Sequence, residues 1–272
     1  MGQTSIVTVD AEAPRGVPIT PDCPVRTLFG VPIHALTLEE VVDVAERAIE
    51  RRERLLLGVV NAAKLVNMAR DETLRRAVLA ADLIAADGMS VVWASRLLGR
   101  RLPERVAGID LMHALLERGS VRKYRAYFVG ATDEVLQATL DHVRREHPGV
   151  IIAGARNGYF TRDEEAGIVA DIHGAAADVL FAAMSSPKKE VFLAQWSKQL
   201  SVPVCHGVGG AFDVIAGKVK RAPDRWQRWG MEWLYRVIQE PRRMWRRYLV
   251  TNALFFGMVV RERIKRAPRT DP

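Results

Sequence analysis

The sequence predicts an α/β protein in which a largely parallel sheet is flanked by helices and followed by a basic, amphipathic, helical appendage. Three observations support this prediction. From Arg26 onward, short apolar runs alternate with segments of helical period, as expected for strand–helix units. The apolar runs are continuous rather than alternating, which is typical of strands buried on both faces. Past Lys218 the chain becomes basic and amphipathic.

The composition of the chain, and the way it changes along the sequence, predict three parts. With 272 residues, 49% of them hydrophobic and 26% charged, the chain can bury a substantial apolar core. We expect a flexible leader over residues 1–24, an α/β core over residues 25–217 and the appendage over residues 218–272. The leader is rich in proline and lacks the basic start and apolar stretch of a signal peptide. The two cysteines, Cys23 and Cys205, show no metal-ligand spacing, so a reducing cytoplasm is the expected compartment.

The elements of the α/β core can be predicted in order. The first helix should begin at Thr37, whose hydroxyl can cap it while Glu40 reaches back to the cap. Each later apolar run is followed by a polar or glycine turn and then a helical pattern, which predicts a Rossmann-like arrangement. The predicted strands are Leu55–Val60, Leu83–Ala86, Ala126–Val129, Val150–Ala153, Val179–Met184 and Val202–Cys205.

Polar and glycine residues follow these predicted strands. The carboxyl ends of parallel strands meet at one edge of a sheet, where ligands bind and where helix N-termini offer N–H groups to phosphates. We therefore expect a site for an anionic small molecule at this edge. The residues concerned are Asn61, Asp87-Gly88, Gly130–Asp133, Ser185–Glu190 and Gly207–Asp213.

Three side chains are candidates for chemistry. Asp87 directly follows the apolar run LIAA, so its carboxylate could act as a general base at the mouth of the sheet, or could cap the next helix. Asn61 could orient a substrate hydroxyl or close its own turn. Arg105 could bind a diphosphate with its forked guanidinium, or pair with Glu104 or Asp110 on the surface.

The turn GVGGAF over residues 207–212 resembles a dinucleotide fingerprint, but its sixth position is Phe212 and no acidic residue of a second unit follows. A nicotinamide-dependent oxidoreductase is therefore a poor match. Gly207, Gly209 and Gly210 could still let the backbone approach a nucleotide, with Asp213 available for a ribose or a base edge. In the alternative interpretation this is a tight turn and Asp213 caps a short helix.

Several classes of site lack their signatures. The chain has no Asp-x-Asp pair and no group of His, Asp and Glu with ligand spacing, so a divalent metal at the reaction centre is not implied. We expect no cofactor. It also has neither a Gly-x-Ser-x-Gly nor a Walker sequence, which argues against a hydrolase and a phosphate-loop ATPase.

The appendage concentrates positive charge and tryptophan. It holds 15 of the 40 Lys and Arg but 5 of the 32 Asp and Glu, so its formal charge is +10, while the remaining 217 residues carry −2. Amphipathic helices of this kind lie on anionic membranes. Its longest apolar run, over 249–260, is shorter than the roughly 20 residues that span a bilayer. The residues in question are Arg242, Arg243, Arg246, Arg247, Trp226, Trp229, Trp233 and Trp245.

Two alternatives for the appendage stay open. Its tryptophans could pack on the α/β core and leave a solvated arginine face. The chain could instead bind nucleic acid, since its pI of 9.8 and its arginine and tryptophan content suit backbone contact and base stacking. Two features argue against nucleic-acid binding. The α/β core is near neutral, and the polar residues at its sheet edge would have no function. Self-association through exposed apolar faces of the α/β core is also left open.

From about Phe29 to Asn252 the chain resembles the WecG/TagA/CpsF family, glycosyltransferase family 26. The resemblance lies in ADGMSVVWASRLLGRRLPERVAGIDL, in SPKKE and in GVGGAFDVIAGKVKRAPDRWQRWGMEWLYRVIQEPRRMWRRY. It implies transfer of a sugar, usually from a UDP-sugar, to a polyprenyl-diphosphate-linked sugar in cell-surface polysaccharide synthesis. It also implies inversion at the anomeric carbon without a metal, and a peripheral place on the inner, cytoplasmic face of the cell membrane.

By position, the resemblance implies that Asp87 is the base, Asn61 a polar substrate partner and Arg105 the diphosphate-binding arginine. Tail arginines would complete the site when the appendage docks, and these are Arg236, Arg243 and Arg246.

The chain departs twice from the family pattern. Val59-Val60-Asn61 stands where Thr-Pro-Asn or Thr-x-Asn is common, and Lys189 stands at the glutamine of Pro-Lys-Gln-Glu. The ammonium of Lys189 could meet a phosphate or a uronic-acid carboxylate. The donor is therefore left open among sugars of the N-acetylmannosamine, N-acetylmannosaminuronic acid and glucose types.

Overall fold

A computed structural model describes residues 23–239 and 241–265. A short antiparallel hairpin is followed by alternating strands and helices and then by three helices of the appendage. The elements are β1 (Val25–Leu28), β2 (Val31–His34), α1 (Leu38–Arg51), β3 (Leu55–Val60), α2 (Ala62–Met68), α3 (Glu72–Leu79), β4 (Leu83–Ala86), α4 (Met89–Leu97), α5 (Gly108–Arg122), β5 (Arg125–Gly130), α6 (Asp133–Glu146), β6 (Ile151–Arg156), a 3-10 turn (Arg162–Glu164), α7 (Glu165–Gly174), β7 (Val179–Ala183), α8 (Lys188–Leu200), β8 (Val204–Gly207), α9 (Ala211–Ile215), α10 (Asp224–Arg228), α11 (Glu232–Gln239) and α12 (Pro241–Ile264).

Strands β3 to β8 form one six-stranded sheet in the order β4-β3-β8-β7-β5-β6, and every pair in it is parallel. The predicted Rossmann-like α/β fold is confirmed. Strands β3 and β4 coincide with the predicted runs, whereas β8 begins at Val204, two residues later than predicted, and β6 extends to Arg156. Helices cover both faces of the sheet, and three buried apolar clusters fill the space between them.

Helix α1 begins as its sequence predicts. The hydroxyl of Thr37 accepts a hydrogen bond from the backbone N–H of Glu40 at 3.3 Å, and the Glu40 carboxylate accepts one from the backbone N–H of Thr37 at 2.7 Å. This capping box satisfies two N–H groups that the first turn leaves without helical partners. Val41 and Val42 then turn inward and are buried against the sheet.

The appendage packs on the α/β core through apolar residues of α12. Phe255 and Val259 are buried with residues of the hairpin, α2 and α4, and the Phe255 ring meets that of Phe29 edge-on at 5.5 Å between centroids. Glu262 pairs with Arg100 at 3.2 Å beside this contact. These contacts all lie in the carboxyl-terminal half of α12.

The tryptophans of the appendage differ in burial. Trp229, Trp233 and Trp245 are exposed, whereas Trp226 is half-buried and its ring meets that of Tyr235 at 5.7 Å between centroids. Packing of the appendage on the α/β core through its tryptophans stays a prediction. The appendage does contact α4 at the turn before α11, where a Cβ added to Gly230 would lie 2.8 Å from the Trp93 ring. The boundary at residue 217 stays a prediction. None of the helices in the described parts of the chain has the length and apolar character needed to span a membrane.

Candidate active site

Asn61 and Asp87 lie side by side at the carboxyl edge of the sheet, after the neighbouring strands β3 and β4. The backbone N–H of Asp87 donates to the carbonyl of Val60 at 2.8 Å. A Cβ added to Gly88 would lie 3.8 Å from the Cβ of Asn61. The parallel pairing of β3 with β4 therefore brings the predicted base and its predicted polar neighbour together.

Asp87 directly precedes the N-cap position of the helix that follows it. Gly88 occupies the N-cap position of α4, and no side chain makes a cap hydrogen bond there. Gly88 has φ +117°, a backbone conformation that residues with a Cβ rarely adopt, so glycine is needed for the turn that presents Asp87. Capping of α4 by Asp87 and its role as a general base both stay predictions.

Asn61 does cap its helix. Its side-chain oxygen accepts a hydrogen bond from the backbone N–H of Lys64 at 2.9 Å, at the first turn of α2. The interpretation in which Asn61 closes its own strand–helix turn is thus confirmed. The amide oxygen of Asn61 is thus engaged by its own helix, and a contact of Asn61 with a substrate stays a prediction.

Arg105 joins the α/β core to the appendage. Its guanidinium donates to Asp110 at 3.0 Å, to Gln227 at 3.1 Å and to Glu232 at 3.2 Å. The other oxygen of Asp110 accepts from Arg221 at 2.5 Å. The predicted pairing with Asp110 is confirmed, and the role in diphosphate binding stays a prediction. These three contacts engage both terminal nitrogens of the Arg105 guanidinium, which has five N–H donors in all.

Glu104, the other acidic residue considered as a partner of Arg105, makes a different contact. The carboxylate of Glu104 accepts a hydrogen bond from the backbone N–H of Leu38 at 2.6 Å, at the start of α1.

The glycine turn after β8 has two distinct parts. A Cβ at Gly207 would lie 2.8 Å from the Cδ of Lys189, so this glycine makes room for a lysine. Gly209 has φ +56° and open space where a Cβ would be, which leaves its backbone approachable. Gly210 is the N-cap of α9 and has no side-chain cap bond, so Asp213 does not cap that helix. A ribose or base contact by Asp213 stays a prediction.

Lys189 is buried, and its side chain packs against Gly207 at the end of β8. Its ammonium is 2.5 Å from an oxygen of Glu190, and the ammonium of Lys64 is 2.9 Å from the same oxygen. Burial, with the nearby charge of Lys64, lowers the pKa of Lys189 to about 8. Burial alone would raise the pKa of Glu190, but the two ammonium groups outweigh it and hold this pKa at about 2. Binding of a phosphate or carboxylate by Lys189 stays a prediction.

Three predicted arginines cannot be placed at the site. Arg236 belongs to α11, while Arg243 and Arg246 belong to α12, and their side chains lie outside the described residues. Their role in completing the site stays a prediction.

Sequence reasoning missed three residues that shape this edge, namely Lys64, Arg221 and Glu232, and it gave Glu190 no role of its own within Ser185–Glu190. A local signal existed for Lys64, because it stands three residues after the capping Asn61. No local signal existed for Glu232, whose contact with Arg105 joins residues 127 positions apart.

Two comparisons with known proteins identify the family of this chain. The family model described as "Glycosyl transferase WecG/TagA/CpsF family" matches residues 26–269. An N-acetylglucosaminyldiphosphoundecaprenol N-acetyl-beta-D-mannosaminyltransferase from Bacillus spizizenii is 39% identical over 189 residues, which cover 69% of this chain and 72% of the relative. Neither match supports the nucleic-acid alternative. The chain therefore belongs to the WecG/TagA/CpsF family and is a glycosyltransferase.

Proposed function

We propose that this glycosyltransferase moves a hexose from a UDP-sugar to a sugar carried on polyprenyl diphosphate, in the synthesis of a cell-envelope polysaccharide. The name of the Bacillus relative supports the acceptor class, because it specifies an N-acetylglucosaminyl-diphospho-lipid. The same name makes N-acetylmannosamine the first donor sugar to test. The observation that carries the proposal is the placement of Asp87 beside Asn61 at the carboxyl edge of the sheet.

In the proposed reaction, Asp87 removes the proton from the acceptor hydroxyl. The hydroxyl oxygen attacks the anomeric carbon from the side opposite UDP, and the bond from that carbon to the phosphate oxygen breaks, which inverts the centre. Arg105 would neutralise the negative charge that develops on the departing UDP. The open backbone at Gly209 leaves room for the nucleotide at the same edge.

We also propose that the appendage attaches the enzyme to the cytoplasmic face of the membrane. Its formal charge of +10 would attract anionic lipid headgroups. Apolar side chains of α10 to α12 that do not pack on the α/β core would enter the interface. The exposed ones are Trp229, Trp233, Ile238, Trp245, Leu249, Val250, Phe256, Val260 and Ile264.

A UDP-release assay tests the reaction. It would use a panel of UDP-sugars with and without a short-chain polyprenyl-diphospho-N-acetylglucosamine. We expect release that depends on the acceptor, and we expect Asp87→Asn to reduce it by roughly 10²- to 10⁴-fold while folding is retained. Asp141→Asn is a control, because Asp141 is an exposed aspartate in the second half of α6 that pairs with Arg144 at 2.7 Å.

Two results would contradict the proposal in different ways. Turnover close to wild type in folded Asp87→Asn would reject Asp87 as the base. Absence of acceptor-dependent release across the whole panel would reject the proposed substrates.

A further inference from the structure

Lys64, Glu190 and Lys189 form a buried ionic cluster beneath the sheet edge. One carboxylate oxygen of Glu190 holds both ammonium groups, at 2.9 Å from Lys64 and 2.5 Å from Lys189. With two positive charges and one negative charge, the cluster has a net charge of +1. Burying charged groups costs free energy that their mutual attraction often fails to recover, so stability alone is a poor reason for such a cluster.

Lys64 connects the cluster to the turn that contains Asn61. Its ammonium donates to the backbone carbonyl of Val59 at 2.7 Å, near the end of β3. Its backbone N–H is the one that the Asn61 side chain accepts at 2.9 Å. Lys64 is therefore bonded both to Val59, in the strand before the turn, and to Asn61 itself, and Glu190 holds the end of its side chain. Movement of the Lys64 ammonium would disturb the cap that orients Asn61.

Lys189 connects the same cluster to the glycine turn. Its aliphatic chain lies directly over Gly207, as the 2.8 Å separation between its Cδ and an added Cβ shows. Gly207 is the last residue of β8 and leads into the approachable backbone at Gly209. The Glu190 carboxylate thus holds the side chains of Lys64 and Lys189, which pack against the turn after β3 and the turn after β8.

The second carboxylate oxygen of Glu190 has a different environment. It is buried and has no hydrogen-bond partner among the residues that the structure describes. A cavity of about 30 Å³ adjoins the cluster and is lined by Lys64, Lys189, Glu190 and Gly207 together with apolar side chains. A cavity of this size holds about one water molecule. A buried acceptor without a protein partner is costly, which again points to a role other than stability.

We propose that Glu190 is a positioning residue, which acts through Lys64 and Lys189 to hold Asn61 and the glycine turn in the geometry that receives the donor sugar nucleotide. The proposal rests on the proposed role of these two turns in donor binding. Glu190 itself contacts neither substrate.

The test compares Glu190→Gln with Glu165→Gln. Both glutamates are 8% exposed, but Glu165 lies on α7, where it accepts a hydrogen bond from the Trp196 indole at 2.7 Å. In Glu190→Gln two ammonium groups face a neutral amide and move apart, so both turns lose their support. We expect the KM for the UDP-sugar to rise about tenfold or more, because small displacements of binding groups have effects of that size. In Glu165→Gln we expect lower thermal stability and an unchanged KM.

If Glu190→Gln does not fold, a second variant tests the positioning role of Glu190. Lys189→Gln keeps the pair of Lys64 and Glu190 and removes the buried group whose pKa is about 8. We expect the wild-type KM for the donor to change as pH passes through about 8, and this change to be absent in Lys189→Gln. The same pH dependence in both proteins would overturn the proposal.

The outcomes separate this proposal from the proposed function. A wild-type enzyme without acceptor-dependent UDP release would refute the proposed substrates. An active wild type, together with a Glu190→Gln variant whose donor KM equals that of Glu165→Gln, would refute the positioning role and leave the function standing.

Discussion

Phe255 and Phe256 are adjacent in α12 but have opposite surroundings, so the same substitution at each separates docking of the appendage from its proposed contact with lipid. Phe255 is 7% exposed and its ring contacts Phe29, whereas Phe256 is 67% exposed. Truncating a buried phenylalanine to alanine costs about 3–5 kcal/mol, of which an aromatic pair accounts for about 0.5–1.5 kcal/mol. Exposed substitutions usually cost less than about 0.5 kcal/mol.

We therefore expect Phe255→Ala to destabilise the docked appendage and Phe256→Ala to leave it docked. If α12 unfolds together with the α/β core, the loss lowers the melting temperature by an amount on the order of 6–20 °C. If α12 detaches by itself, its amide protons exchange faster while those of the sheet keep their protection. Thermal melting and hydrogen exchange, measured on both variants, cover the two cases.

In vesicle binding, the proposed membrane contact predicts a larger effect of Phe256→Ala than of Phe255→Ala. Phe256→Ala should bind vesicles of anionic lipid about tenfold or more weakly, because a buried phenylalanine contributes about 1.5–3 kcal/mol. Equal melting temperatures and equal exchange in the two variants would refute the packing argument for Phe255. Unchanged vesicle binding by Phe256→Ala would remove this residue from the proposed interface.

Two further predictions concern the strands beside the site. Asn61→Ala should lower the free energy of unfolding by about 1 kcal/mol because α2 loses its cap, whereas Asn61→Ser should lose less, and equal losses in urea titrations would contradict the capping role. Burial lowers the pKa of His206 to about 4, from 6.5 in the unfolded chain, so only the unfolded chain binds this proton between those values. Stability should therefore fall as pH drops from 6.5 towards 4, by up to about 1.4 kcal/mol per pH unit, and His206→Gln should fall less steeply. If the urea midpoint falls by the same amount between pH 7 and pH 5 in the wild type and in this variant, His206 is not the group responsible.

Local sequence signals predicted much of this fold. The runs that form β3 and β4 are apolar at nearly every position, as strands buried on both faces must be, and they were predicted with their observed bounds. The start of α1 was equally readable, because Thr37 and Glu40 make their capping contacts within four residues. The order of strand and helix then placed Asn61 and Asp87 at one edge without further information.

Contacts between distant segments could not be predicted in the same way. The sequence SPKKE places Lys189 after a strand but does not show that α8 directs its side chain over Gly207. That contact exists because β8 is the neighbour of β3 and β7, and apolar runs do not specify the order of strands. The partners of Arg105 in the appendage, Gln227 and Glu232, are separated from it by more than 120 residues. Pairings over such distances depend on the assembled fold.

The position of β8 has a consequence for synthesis of the chain. Among the strands that the structure describes it is the last to leave the ribosome, yet it lies between β3 and β7 and joins β3-β4 to β7-β5-β6. Until Val204–Gly207 has emerged, each of these two portions has an open inner edge made of apolar residues. Open apolar edges pair readily with other chains. A nascent chain that stalls before Val204 should therefore need a chaperone, whereas one that has passed Gly207 can close its own sheet.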